Sequence, residues 1–208
     1  MIKKKIIQIK KQIGNKKLII VSKYRSNQEI MTAYNTGHRD FGENRVQELI
    51  EKYNELPKDI RWHMIGHLQK NKVKYIIPFI HLIHSVDSLK LLRLINDVSN
   101  KYNKITNCLI QVKIAEEETK FGFSKEMIID FLNSNYNESY PHLNIIGLMG
   151  MATATENKIQ IGNEFNLLHS LYSKHSKLST LCMGMSQDYK IAIQKKSNMI
   201  RIGSYIFS

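Results

Sequence analysis

The chain has 208 residues, 42% of them hydrophobic and 24% charged, which are ordinary values for a globular protein and exclude a disordered chain. No run approaches the roughly 18 consecutive apolar residues of a membrane-spanning helix, and the first residues lack the unbroken apolar stretch of a signal peptide. The two cysteines, Cys108 and Cys182, have neither a CxxC spacing nor the pattern of a disulfide framework, so we expect a cytoplasmic protein with both thiols in the core.

The chain begins with a basic segment. Residues 1–25 hold nine Lys or Arg and no acidic residue, which accounts for most of the net charge of +13. Ile2, Ile6, Ile9 and Ile13 recur at helical spacing between the lysines, so the pattern predicts an amphipathic helix in residues 1–17, laid on the domain that follows. The alternative is that these lysines bind nucleic acid or an anionic membrane. We expect no specific nucleic-acid partner and no membrane partner.

Eight short apolar segments follow, with helical patterns between them. They begin near Leu18, Arg39, Arg61, Leu82, Asn107, Leu143, Leu178 and Met199. Each interval is long enough for a strand, a crossover helix and two loops. This series predicts an α/β fold, a single (β/α)8 TIM barrel over residues 18–208. A doubly wound open sheet is the competing fold, but its dinucleotide-binding form would have G-x-G-x-x-G after the first strand, where the chain has Ser22-Lys23-Tyr24-Arg25-Ser26.

Local signals delimit several of the helices. Ser26 and Glu29 form an S-x-x-E capping pattern, and Asp87-Ser88 opens another amphipathic run. Residues 157–172 predict a further helix, whereas residues 133–141 are interpreted as a polar loop.

Unusual polar residues lie at the predicted ends of the strands, where barrels place their chemistry. Lys23 closes the first strand, and desolvation at a barrel mouth would lower its pKa and free the amine for Schiff-base chemistry. A solvated surface lysine is the alternative. Asn44 follows the second strand, where it could point an amide into the mouth or cap the next helix.

The third strand-and-loop unit, residues 62–69, contains two histidines, His63 and His67, four residues apart. A zinc pair would need further ligands, and no helix, carboxylate or cysteine nearby supports one, so we expect no metal. Packing of a histidine or of the tryptophan, Trp62, over a flat ring is the favoured interpretation.

The last two strands lead into glycine and hydroxyl residues. Ser186 follows the seventh strand, and Arg201, Gly203 and Ser204 end the eighth. Free backbone N–H groups and hydroxyls in these two loops suit an anion, and barrels often bind phosphate there, although ordinary turns also contain such residues. A strand-end lysine, a phosphate cradle and an arginine together match pyridoxal 5′-phosphate (PLP), which has an aldehyde, a phosphate and a flat pyridine ring.

Several segments, in order and at close to the same spacing, resemble the pyridoxal phosphate homeostasis protein family. They are Val21-Ser22-Lys23, residues 41–48, residues 62–72, residues 119–123, residues 147–151, residues 183–188 and residues 199–203. The resemblance implies a barrel like the N-terminal domain of alanine racemase, without that enzyme's second domain. It also implies that Lys23 forms a Schiff base with PLP.

The same resemblance implies the other cofactor-binding roles. Asn44 and His63 would line the ring, Arg201 would face the pyridine nitrogen, and Ser186, Gly203 and Ser204 would hold the phosphate. The chain departs from the family at Ser204, where Thr is usual, and at Ser208, where Gly is usual, and the segment before Lys23 is short. A serine keeps the hydroxyl, so phosphate binding is expected to survive.

These residues predict a carrier of PLP with little or no catalysis. An arginine on the pyridine nitrogen keeps that nitrogen unprotonated and weakens the ring as an electron sink. Racemisation needs an acid/base group on each face of the substrate carbon, and Lys23 supplies one. The alternative is a small PLP-dependent racemase in which a tyrosine or His63 supplies the other. As a carrier, the protein is expected to act as a monomer and to have PLP-dependent apoenzymes as partners.

Overall fold

The computed structural model describes residues 1–117 and 120–208 and shows eight parallel strands closed into a barrel in chain order. The strands are β1 Lys17–Val21, β2 Asp40–Glu43, β3 Arg61–Met64, β4 Leu82–Val86, β5 Thr106–Gln111, β6 Leu143–Met149, β7 Thr180–Cys182 and β8 Met199–Ile202. The predicted (β/α)8 barrel is confirmed, and each strand begins within two residues of its predicted start. Strand β8 pairs with β1, Ile19 lying opposite Arg201, and this pairing closes the barrel.

Helices surround the barrel. They are α1 Ile2–Ile13, α2 Asn27–Tyr34, α3 Val46–Glu55, α4 Val73–Ile76, α5 Leu89–Lys101, α6 Lys125–Asn133, α7 Tyr136–Ser139, α8 Lys158–Ser173, α9 Tyr189–Gln194 and α10 Ser204–Phe207, with a short 3-10 turn at Lys70–Lys72. Ser26 caps α2 in a full capping box with Glu29, as the pattern predicted. Within the described residues, no helix is long and apolar enough to cross a bilayer.

Helix α1 packs on the barrel through one face. Ile6, Ile9 and Ile13 are buried, and its lysines occupy the other face. The Lys5 ammonium donates to the backbone carbonyl and to the hydroxyl of Ser208, so the first helix is tied to the end of the chain. The amphipathic helix predicted for residues 1–17 therefore forms, although it ends at Ile13 and Lys17 already belongs to β1.

Two apolar clusters hold the fold. The larger lies between the strands and the helices, and a smaller one fills the barrel interior with Ile19, Leu82, Leu109, Met149, Cys182 and Met199. Both cysteines are buried and unpaired. Burial of such side chains is the main stabilising contribution, on the order of 1.5–3 kcal/mol each.

One local prediction is wrong. The segment 133–141 is not a plain polar loop, because α7 forms inside it and Tyr136 is buried. The Tyr136 ring stacks on Phe131, with centroids 5.0 Å apart. This tertiary contact stabilises a helical turn that the polar composition does not indicate.

Candidate functional site

A cavity of about 570 Å³ opens at the C-terminal ends of the strands, and we call it the mouth cavity. Its volume lies in the range of about 300–1,000 Å³ that small-molecule sites occupy. The ends of β1, β2, β3, β5, β6, β7 and β8 and the loops after them contribute its walls. It is lined by all the predicted site residues except His63, namely Lys23, Asn44, Ser186, Arg201, Gly203 and Ser204. The fold therefore brings into one place residues from both ends of the chain.

Lys23 lies just past the end of β1 on the cavity side. Val21 and Lys23 line the mouth cavity, whereas Ser22 between them is buried on the opposite face of the strand, as the two-residue period requires. The Lys23 side chain is exposed, with its Nζ 5.9 Å from the centroid of the Tyr24 ring. The expectation that the mouth desolvates this amine is wrong, because the cavity is open to solvent at Lys23.

Arg201 and Asn44 present buried polar atoms to the mouth cavity. Arg201 is 3% exposed, and its Nε and Nη2 have no hydrogen-bond partner among the described residues. The same holds, within those residues, for Asn44 Oδ1. The alternative role of Asn44 as a cap of α3 is not observed, since Arg45 is the N-cap residue and no side chain caps that helix. Because leaving such groups unpaired costs about 1–3 kcal/mol each, these atoms fit a polar ligand.

Residues after β7 and β8 form the other end of the cavity. The backbone N–H of Tyr205 donates to Ser186 Oγ at 3.4 Å, which links the two loops. A Cβ on Gly203 would lie 3.0 Å from both Val21 Cβ and Val21 O, so a larger residue here requires β1 or the β8 loop to move by a few tenths of an ångström. Two hydroxyls, Ser186 and Ser204, and a close-packed glycine thus face one space, and this arrangement fits an anionic group.

His63 does not line the mouth cavity, and its predicted place beside the ring is corrected. It is fully buried inside the barrel. In β3 the inward-facing positions alternate, and Ile65, two residues later, occupies the cavity wall. Two residues along a strand move a side chain by about 6.6 Å, so His63 lies one layer deeper.

His63 belongs instead to a polar chain through the barrel interior. Its Nε2 lies 3.1 Å from Asp40 Oδ1 and its Nδ1 lies 2.9 Å from His84 Nε2, while His84 Nδ1 lies 3.5 Å from the Cys182 thiol. Because a carboxylate only accepts, His63 donates to Asp40, His84 donates to His63, and Cys182 donates to His84. Burial lowers the pKa of His63 to about 4 and raises the pKa of Cys182 to about 11, so both residues are neutral near pH 7.

Asp40 begins β2 and is the last member of this hydrogen-bonded series, at the N-terminal end of the barrel. Ligand atoms of Asp40, His63 and His81 are within 4.8 Å of one another. Both Asp40 oxygens already accept from Arg61, at 2.9 and 2.6 Å, and Lys17 lies 3.3 Å away. Burial raises the pKa of Asp40, but the hydrogen bonds from Arg61 and His63 outweigh it and hold that pKa well below its usual range. Two cations on one carboxylate oppose a metal cation by like charge, so we keep the prediction that no metal binds here.

Sequence reasoning missed several residues of the cavity wall. The His67 ring stacks on Phe121 with centroids 4.3 Å apart, and its Nδ1 lies 2.9 Å from Asp87 Oδ2. Gln111 Nε2 donates to the Phe121 carbonyl at 2.8 Å, and Lys120 Nζ donates to the Ala152 carbonyl at 2.8 Å. Gln111 is a polar residue at the end of a buried strand, a signal that could have identified it. Part of the motif that contains Lys120 lies outside the described residues, at Thr119.

The whole chain, residues 1–208, matches the family model for the alanine racemase N-terminal domain. It is similar to proteins named pyridoxal phosphate homeostasis protein. One, from Aquifex aeolicus, is 36% identical and covers 92% of this chain and 86% of its own length. Another, from Helicobacter pylori strain 26695, is 37% identical with the same two coverages.

Solved structures show the same architecture. The structure of PipY from Synechococcus elongatus PCC7942 with PLP bound superposes with a TM-score of 0.90, at 28% identity and with full coverage of both chains. Alanine racemase from Clostridium difficile 630 superposes with a TM-score of 0.80 at 14% identity, over 99% of this chain and 56% of the racemase. The second likeness is one of fold alone.

Proposed function

The chain belongs to the pyridoxal phosphate homeostasis protein family and carries the alanine racemase N-terminal domain, and from this we propose that it binds pyridoxal 5′-phosphate in the mouth cavity and serves in the homeostasis and delivery of that cofactor. The observation that carries the proposal is the buried Arg201 with unpaired donors, in one cavity with the Lys23 amine and the hydroxyls of Ser186 and Ser204.

Each end of the cofactor has a counterpart in the cavity. When bound, PLP supplies an aldehyde that a lysine amine converts to a Schiff base with loss of water. Lys23 supplies that amine. Ser186, Ser204 and the backbone at Gly203 hold the phosphate, and Arg201 donates to the pyridine nitrogen. Asn44 lines the ring in this proposal, whereas His63 does not.

We further propose that the protein carries out little or no amino-acid chemistry. An arginine donor leaves the pyridine nitrogen unprotonated, which weakens the ring as an electron sink. The alternative source of a second acid/base group was a tyrosine or His63. No tyrosine lines the mouth cavity among the described residues, and His63 lies beneath it. The recipients of the cofactor are then PLP-dependent apoenzymes.

A racemase-like activity remains the second candidate because one histidine does line the cavity. His67 is half exposed there, and Asp87 orients its ring. Incubation of the PLP-loaded protein with L-alanine in deuterated water decides between the two functions. A carrier gives negligible exchange of the α-hydrogen, whereas exchange that is lost in His67→Asn indicates the enzyme.

The binding proposal is tested by the absorption spectrum of the purified protein with PLP. We expect a Schiff-base band, and borohydride reduction followed by peptide mapping should place the adduct on Lys23. Lys23→Ala should lose both signals. Lys104→Ala is the matched control, because Lys104 is a half-buried lysine that donates to the Ile77 and Ile80 carbonyls and does not line the mouth cavity. An adduct found only on lysines other than Lys23 would refute the site.

A further inference from the structure

The backbone next to Lys23 is held from outside the barrel by a buried charged group. Ser22 and Glu43 end neighbouring strands and face α3, away from the mouth cavity, and both are fully buried. Lys52, from the second turn of α3, reaches them with a side chain that is 10% exposed. We call these three residues the Ser22 clamp.

The contacts of the clamp are short and converge on one peptide group. Lys52 Nζ donates to the Ser22 carbonyl at 2.9 Å and to Glu43 Oε1 at 2.8 Å. The Ser22 hydroxyl donates to the same Glu43 oxygen at 2.5 Å. The carbonyl that Lys52 binds belongs to the peptide bond between Ser22 and Lys23. The clamp therefore fixes the plane of the peptide from which the Lys23 side chain leaves.

The residue on the other side of Lys23 is strained. Tyr24 has φ of 60°, a left-handed conformation that is unfavourable for a non-glycine residue. Its N–H donates to Glu48 Oε2 at 3.3 Å, and that oxygen lies 3.7 Å from Lys52 Nζ. Helix α3 thus holds the residues before and after Lys23. Such strain persists where the surroundings impose it, and it is concentrated at functional sites.

The clamp is a poor choice for stability alone. The layer between the barrel and its helices is mainly apolar, and a buried ion pair is often no more stabilising than apolar residues of the same volume. Glu43 Oε2 has no partner among the described residues. Burial raises the pKa of Glu43, against the opposing hydrogen bonds from Lys52 and Ser22. The clamp is therefore better explained by its effect on the position of the Ser22–Lys23 peptide than by a contribution to the stability of the fold.

We propose that Glu43 and Lys52 are positioning residues that set the direction of Lys23, through the Ser22 peptide, for attack on the aldehyde of the cofactor. This inference rests on the proposed function of Lys23. The long, flexible lysine side chain reaches the cavity from a Cα whose place is fixed, so a change at α3 acts on the amine without touching the cofactor.

The test compares Lys52→Met, Glu43→Gln and the conservative Lys52→Arg with wild type, in the full chain. Lys104→Met is the matched control. Lys104 is also a half-buried lysine that donates to backbone carbonyls, those of Ile77 and Ile80 at 2.8 and 3.1 Å, but it lies before β5, at the opposite end of the barrel. Every variant is measured below its own unfolding temperature. The readouts are the rate and equilibrium constant of Schiff-base formation with PLP and the share of borohydride-fixed adduct on Lys23.

We expect Lys52→Met to lower the equilibrium constant of Schiff-base formation about tenfold, because the peptide before Lys23 loses the hydrogen bond that fixes its plane; tenfold corresponds to about 1.4 kcal/mol. The adduct should shift from Lys23 towards other lysines, Lys52→Arg should restore much of the loss, and Lys104→Met should be destabilised without either change. Glu43→Gln is nearly isosteric and tests the same point if Lys52→Met does not fold.

If Lys52→Met and Glu43→Gln both form the Schiff base with the rate and equilibrium constant of wild type, the positioning role is overturned and the proposed function stays intact. A wild-type protein with no adduct on Lys23 would overturn both, and that result is visible before any substitution is made.

Discussion

Replacing Arg201 by methionine should stabilise the protein without PLP and destroy the response to PLP. The substitution keeps an unbranched side chain but removes Nε and Nη2, two buried donors without partners among the described residues. Each unpaired donor costs about 1–3 kcal/mol, and the lost packing of the guanidinium offsets part of the gain. We therefore expect a net increase of about 1 kcal/mol in the free energy of unfolding. For a chain of this size the melting temperature should rise by roughly 2–4 °C.

Addition of PLP should reverse the order of the two melting temperatures, so that wild type melts above Arg201→Met. At a ligand concentration 100 times the dissociation constant, wild type gains about 2.7 kcal/mol, while Arg201→Met should gain little. Thermal unfolding followed by circular dichroism, with and without PLP, measures both differences.

Arg61→Met is the matched control for Arg201→Met. Arg61 has its partner, Asp40, but its side chain is 47% exposed, so its loss should cost only about 1–2 kcal/mol and leave the shift with PLP unchanged. If Arg201→Met melts below wild type in the absence of PLP, the reasoning that Arg201 is held for a ligand at the expense of stability is wrong.

Three further predictions concern the barrel interior beneath the cavity and the proposed phosphate end of the cavity. Asp40 has a folded-state pKa below its ordinary 3.8, so its stabilising contribution is present above about pH 4 and is lost as the pH falls further; urea unfolding at pH 3 and pH 6 should show a smaller difference in Asp40→Asn than in wild type. Gly203→Ala should weaken PLP binding, measured by calorimetry, because its Cβ would lie 3.0 Å from Val21, and unchanged affinity would show that the β8 loop relaxes freely. Ser204→Ala should lower the affinity about tenfold while Ser204→Thr keeps it, since threonine retains the hydroxyl; equal losses in the two would refute a hydroxyl contact.

The barrel was predictable because strands buried on both faces read as short apolar runs. Four of them, beginning at Arg61, Leu82, Leu143 and Met199, start at the predicted residue. Segments whose structure depends on packing between helices were not predictable. Helix α7 lies in a polar segment, and its buried Tyr136 is held by a ring that the chain supplies from α6.

The candidate site was predictable where position along a strand decides it. Lys23, Asn44 and Arg201 lie at strand ends, and the fold sends strand ends to the mouth. Depth inside the barrel was not predictable. His63 and Ile65 face the same way, and only the register of β3 with β2, which pairs His63 with Gly42, shows which of them reaches the cavity.

The alternation of side chains along a strand also explains why the Ser22 clamp escapes sequence reasoning. Lys23 and Asn44 line the cavity, whereas the residues immediately before them, Ser22 and Glu43, face the helix layer. Two adjacent residues of one motif therefore point to opposite faces of the barrel wall, and only one of each pair can contact a ligand in the cavity. The chain can thus place a polar residue behind each cavity residue without narrowing the cavity. Lys52 binds both Ser22 and Glu43. Helix α3, which contributes no residue to the described cavity wall, therefore fixes the backbone next to Lys23, which does line the cavity.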